Sequence, residues 1–133
     1  MANKRRAVIA IVCYEGKYLI GRKRADSSKF LAGQWHIIGE NLEDGESDIS
    51  ALVRGIQEEA GINISVGKYL AAGITPTGKG AHWYECFAQS NELRIGSDLE
   101  DARWVTRDEL LKFCEERITS WPQEIHSYFN INL

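Results

Sequence analysis

The sequence predicts a mixed α/β domain, and three observations carry that expectation. An apolar, β-branched run opens the chain (Ala7 to Tyr14, AVIAIVCY). One segment with helical spacing follows in the middle, Asp48 to Ala60. Two more strand-rich stretches then precede a pair of short helical segments. Strands, a long helix, strands and helices in that order fit a mixed sheet flanked by helices. A length of 133 residues suits one domain over 1–133 and can bury a core without disulfides or a structural metal.

After the first run, Glu15-Gly16 reads as a tight turn, with Lys17 to Arg24 as the hairpin partner. Ala25 to Gly33 reads as loop, Gln34 to Ile38 as a short strand, and Glu40 to Ser47 as an acidic loop. Along the central helix, Ile49, Leu52, Val53, Ile56 and Ala60 mark the apolar stripe. Ser47 is placed to cap its start, and Gly61 to end it in a left-handed cap. Ile62 to Thr75 and Ala81 to Ser90 read as strands around the turn Thr75-Pro76-Thr77-Gly78. Ala102 to Val105 is a short strand. Thr106 caps a helix from Arg107 to about Arg117, and Trp121-Pro122 opens a last one ending near Phe129.

Composition excludes several classes. The apolar fraction is 44% and the charged fraction 26%, so bulk disorder is not expected. A net charge of −3 supplies no basic field for polymeric nucleic acid. Cys13, Cys86 and Cys114 are widely spaced, which suits neither a disulfide framework nor a zinc ribbon and fits a reducing, cytoplasmic location. The N-terminal residues show no targeting pattern, and no apolar run is long enough for a membrane span.

The acids are concentrated. Residues 40–59 hold seven of the nineteen, where an even spread would give about three. At about 100° per residue, Glu58 and Glu59 lie off the apolar stripe, with Gly55 between them in projection one turn earlier. Two adjacent carboxylates near a helix C-terminus repel each other and oppose the helix dipole. A hard cation would relieve both effects, and Mg²⁺ accepts such ligands while bridging to phosphates. Gly55 is costly in mid-helix, by about 1 kcal/mol against Ala, so something approaches the backbone there.

Gly39 to Ser47, followed by Arg54-Gly55-Ile56-Gln57-Glu58-Glu59-Ala60-Gly61-Ile62, resembles the Nudix box of MutT-like hydrolases. Glu46, the gap to Arg54, Ile56, the Glu58-Glu59 pair, Gly61 and Ile62 match the box. Leu19 to Arg24, Trp35 and Ala102 to Val105 match its surroundings. The resemblance implies a Nudix α/β/α sandwich with a mixed sheet. It also implies hydrolysis of a nucleoside diphosphate linked to another group. Glu58, Glu59 and the Gly39 carbonyl would bind Mg²⁺ or Mn²⁺, and Arg54 would orient a carboxylate with Glu46 as partner.

Two box positions depart from the pattern. The first Gly of the box is Glu40 here, and the Glu after the Arg, which usually binds metal and is often assigned as general base, is Gly55. Ile38 stands where many members have Pro. In one reading the site has decayed to a nucleotide-binding module. In the other, which we favour, the carboxylate of Glu40 fills the space vacated at Gly55, serving as both ligand and catalytic group. A distal acid often completes such sites, and Asp98, Glu100 and Asp101 are the candidates. Arg22, Arg24 and Lys29 are candidate phosphate contacts, the guanidinium groups being better suited to bidentate pairing.

Trp121-Pro122-Gln123-Glu124 resembles a W-P-D-D stretch of a nucleoside triphosphatase branch of the family. That resemblance implies stacking by Trp121 and edge reading by Gln123 and Glu124. His36, His82 and His126 show no metal spacing and read as structural or exposed. The expected substrate is therefore a (deoxy)nucleoside triphosphate, cleaved to monophosphate and pyrophosphate. A nucleotide sugar or other diphosphate is the alternative within the enzyme class. The sequence allows a homodimer without requiring one.

Overall fold

A computed structural model describes residues 6–28, 30–96 and 98–132. The chain runs β1 (Ala7–Tyr14), β2 (Lys17–Lys23), β3 (Trp35–His36), β4 (Gly39–Asn41), α1 (Asp48–Ala60), β5 (Ile64–Ile74), β6 (Gly80–Ala88), β7 (Leu99–Val105), α2 (Arg107–Phe113) and α3 (Gln123–Tyr128). A 3-10 turn, Ile118–Ser120, lies between α2 and α3.

The sheet is mixed because β1 pairs in parallel with β6 while its other partners are antiparallel. One edge of β1 serves two strands. Its start pairs with β4, from Ala7 with Asn41 to Ile9 with Gly39, and its end forms the hairpin with β2. The path runs β3-β2-β1-β6-β5, with β4 on β1 and β7 on β2.

Side chains alternate across a strand, and β1 shows how this builds two cores. Val8, Ala10 and Val12 join Leu52 and Ile56 on the α1 face. Ile11 joins Leu110, Ile125 and Phe129 on the α2 and α3 face, with Ile9 and Cys13 packed beside it. Both faces are covered, which gives the sandwich. No helix among the described residues is long and apolar enough to cross a membrane.

The caps expected from sequence form. Ser47 accepts from the Ser50 N–H at 3.1 Å, and Gly61 ends α1 at φ 69°. Thr106 and Glu109 make a reciprocal capping box on α2. Asp48, in the first turn of α1, accepts hydrogen bonds from Arg6, His82 and Tyr84 at 2.7 to 2.8 Å, which fastens that end of the helix to β6.

Several boundaries and one face differ from expectation. β7 begins at Leu99, α2 ends at Phe113, and Glu40 lies in a strand rather than a loop. The buried face of α1 is Ala51, Leu52, Gly55, Ile56 and Ala60, whereas Ile49 is 58% and Val53 38% exposed. The helix is turned so that its smallest residues, Ala51 and Gly55, meet the sheet. Close backbone approach sets that rotation, and a hydrophobicity pattern does not record it.

Candidate active site

Strand β4 and helix α1 meet at Glu40 and Gly55. A Cβ placed on Gly55 would stand 2.8 Å from both Cβ and Cγ of Glu40 and 3.3 Å from its Oε2. The Glu40 side chain therefore lies directly over the glycine, in the space the sequence suggested. Its Oε1 accepts the Asn41 N–H at 3.0 Å, and its Oε2 stands 3.6 Å from Arg54 Nη1. Burial raises the pKa of the Glu40 carboxyl; the Asn41 N–H and Arg54 oppose the rise, and the charges of Glu58 and Asp98 add to it.

Arg54 holds the acidic loop to the helix. It donates through Nε and Nη2 to the two oxygens of Glu46, both at 2.8 Å, and through Nη2 to the Asn41 carbonyl at 3.0 Å. Glu58 lies 3.3 Å away, one turn on, and Glu43 at 3.5 Å. The Arg54 hydrogen bond and the Glu43 N–H hold the Glu46 pKa down to about 2. A depressed folded-state pKa stabilises fully above the ordinary value of about 4.5 and is lost as pH falls through about 2. Glu46→Gln should therefore flatten the acid limb of a melting-temperature profile across that window. An unchanged profile would mean the ion pair does not persist in solution.

Asp98 reaches the site because its loop crosses the end of α1. The Arg94 and Gly96 N–H groups donate to the carbonyls of Ala60 and Glu59, both at 2.8 Å. A side chain at Gly96 would collide with the Glu58 carbonyl.

A cavity of about 440 Å³ opens beside these groups. Gly39, Glu40, Glu59 and Asp98 line it, with Lys23 and Lys79. Glu58 is exposed and touches the group through Arg54. The last turn of α1 carries no basic residue to offset its acids.

The donor set fits a divalent metal. It consists of carboxylates and a carbonyl, and negative charge is in excess. Among the described residues no three acidic, His or Cys side chains already form a metal cage. Oxygen donors of this kind are the ones a hard divalent cation takes, with water and substrate phosphates completing its shell.

The other sequence candidates are placed differently. Of the three candidate distal acids Asp98 lines the cavity, while Glu100 accepts the Ala25 N–H at 2.7 Å and Asp101 pairs with Arg103 at 3.1 Å. Arg22 donates to the Gly33 carbonyl at 3.2 Å, and Arg24 pairs with Asp26 at 3.0 Å. Lys29 lies outside the described residues. Lys23, between the two arginines, lines the cavity instead and donates to the Phe30 carbonyl at 2.6 Å. A register shift between Arg22 and Lys23 re-aims the strand there.

Lys79, missed from sequence, comes in on the β5–β6 turn and donates to Asn41 Oδ1 at 2.8 Å. Trp121 is 8% exposed, packed against Trp83 and Phe129. Gln123 and Glu124 are exposed and line neither this cavity nor the smaller one next to it.

Comparison with known proteins agrees with this architecture. A CTP pyrophosphohydrolase of Escherichia coli K12 is 42% identical over 65 residues, 49% of this chain and 47% of that protein. A nucleoside triphosphatase NudI of Enterobacter sp. strain 638 is 27% identical over 122 residues, covering 81% of this chain and 86% of that one. The crystal structure of a MutT protein from Methanosarcina mazei Go1 superposes with a TM-score of 0.71 at 20% identity. It covers 95% of this chain and 90% of that one, and so speaks to the fold alone. The NUDIX domain model matches residues 3–126. With the carboxylate pair, the Arg54 clamp and the mixed-sheet sandwich in place, the chain belongs to the MutT-like Nudix superfamily.

Proposed function

We propose that this protein is a Mg²⁺- or Mn²⁺-dependent nucleoside triphosphate pyrophosphohydrolase, releasing the monophosphate and pyrophosphate, with residues 1–133 acting as one catalytic domain. The observation that carries the reading is the Glu40 side chain seated on Gly55. It returns a carboxylate to the corner of the site where the box would otherwise lack one. Nudix enzymes generally work with divalent metal ions, and relatives named as a CTP pyrophosphohydrolase and a nucleoside triphosphatase support the substrate class.

Glu59, Glu58, Glu40 and the Gly39 carbonyl would hold the metal. When bound, it would neutralise anhydride oxygens and lower the pKa of the attacking water. Glu40, seated over Gly55 at the edge of the cavity, is placed to accept that water's proton. Arg54 keeps Glu40 and Glu58 beside each other while Glu46 fixes the guanidinium. Lys23 and Lys79, which also line the cavity, supply positive charge for the phosphates that the acids alone would repel.

A second reading, cleavage of a nucleotide sugar or another diphosphate, draws on the burial of Trp121, which is no free stacking platform. A panel of nucleoside triphosphates and nucleotide sugars with Mg²⁺, assayed for pyrophosphate and phosphate release beside Glu59→Gln, separates the readings. Pyrophosphate from triphosphates, absent in the variant, is the expected result. Saturable binding with no turnover would make the protein a binding module, and turnover of the sugars alone would move the substrate class.

A further inference from the structure

Lys79 shares the walls of the larger cavity with three carboxylates, Glu40, Glu59 and Asp98. An ammonium on a flexible four-carbon stem is drawn toward such acids, and pairing with one would cancel its charge. Lys79 Nζ instead donates to Asn41 Oδ1 at 2.8 Å, across 38 residues of sequence. A lysine ammonium only donates, so the amide presents its oxygen there. This acceptor is neutral. It holds the ammonium in place without cancelling its charge and leaves further N–H groups for a ligand.

Both partners are fixed by their own backbones. Lys79 closes the turn between β5 and β6: its N–H donates to Thr75 Oγ1 at 3.0 Å, and its carbonyl accepts the Thr75 N–H at 2.7 Å. Asn41 ends β4, opposite Ala7 of β1. Its N–H donates to Glu40 Oε1 and its carbonyl accepts from Arg54 Nη2, both at 3.0 Å. One residue therefore bonds the cation of the turn through its side chain, and the carboxylate and guanidinium of the site through its main chain. Removing the side chain leaves the main-chain bonds in place.

We propose that Asn41 is a positioning residue for the substrate: its side-chain carbonyl holds the Lys79 ammonium at the cavity wall to meet a phosphate, at a place set relative to Glu40 and Arg54. A phosphate entering the cavity then finds a cation already oriented, and the cost of ordering a long side chain is met before binding. An acid at position 41 would orient Lys79 equally well but neutralise it. The proposal rests on the phosphate-bearing substrate proposed above and names the group that aims one of its contacts.

Equilibrium titration with inorganic tripolyphosphate in Mg²⁺ reads phosphate binding apart from base and catalysis. Lys79→Met should weaken binding about tenfold, the scale of a hydrogen bond from a charged group, and Asn41→Ala about threefold or more. The double variant should bind like Lys79→Met alone, because Asn41 acts through Lys79. Asn41→Asp is nearly isosteric and still accepts from Lys79, yet it should weaken binding at least as much as Asn41→Ala, which guards against an alanine variant that fails to fold. In nucleoside triphosphate hydrolysis the loss in Asn41→Ala should fall on KM more than on kcat. Unchanged binding in Asn41→Ala, losses that multiply in the double variant, binding by Asn41→Asp as tight as the wild type, a loss confined to kcat, or no binding of tripolyphosphate by the wild type would each overturn the proposal. The expected binding pattern without turnover of any nucleotide would leave it standing and defeat only the catalytic reading.

Discussion

Glu40→Gln should lower kcat by about 10²- to 10⁴-fold, the range expected when a group that accepts the proton of the attacking water is removed. The change is close to isosteric. The amide oxygen can still accept the Asn41 N–H, and the methylenes still cover Gly55. Arg54 keeps its bidentate pair with Glu46. The melting temperature should therefore move by no more than about 4 °C, near the effect of 1 kcal/mol. Pyrophosphate release and a thermal melt on the same preparation provide the check. If turnover survives in Glu40→Gln while Glu59→Gln is dead, Glu40 is packing over a glycine and the catalytic proton goes elsewhere.

The strands and caps were legible because short-range patterns encode them. The alternation along β1 assigns Val8, Ala10 and Val12 to one face and Ile9, Ile11 and Cys13 to the other before any partner is known. Ser47, Gly61 and Thr106 carry their caps in their own chemistry. The rotation of α1 was not legible. Hydrophobicity favours burying Ile49 and Val53, whereas close contact with β4 favours burying Ala51 and Gly55, and only the assembled sheet decides between them.

The metal-site candidates were legible in the same local sense, since Glu40, Arg54, Glu58 and Glu59 sit on or beside one helix. The phosphate side was not. Arg22 and Arg24 are the better phosphate ligands by type, but Arg22 donates to the Gly33 carbonyl and Arg24 pairs with Asp26, while the register shift brings Lys23 to the cavity. Choosing Asp98 over Glu100 and Asp101 likewise needed the path of a loop across the helix end, marked in sequence only by Gly96. Trp121 illustrates how packing alters a local likeness. A four-residue likeness suggested an open stacking ring, and packing against Trp83 and Phe129 makes it a wall instead.

Gly55→Glu made alone should both destabilise and inactivate, although it restores the residue most family members carry. The new Cβ would meet Glu40 at 2.8 Å through Cβ and Cγ, atoms next to the strand backbone that cannot swing aside as a side-chain tip could. Overpacking of this kind costs about 1–3 kcal/mol, and a second carboxylate in the same corner adds repulsion to an acid already crowded by Glu58 and Asp98. Glu40→Gly alone should fold but lose the carboxylate and with it the turnover. The double variant Glu40→Gly/Gly55→Glu clears the clash and moves the carboxylate from strand to helix, so it should recover a measurable part of the wild-type rate. In stability, the pair should couple by at least about 1 kcal/mol in a double-mutant cycle, well beyond the roughly 0.3–0.5 kcal/mol within which independent sites add. Additive losses, with the double variant as inactive as either single one, would mean that residues 40 and 55 changed for unrelated reasons. Recovery would show that one carboxylate position in this site can be reached from either of two backbones, the glycine being needed on whichever side does not supply it.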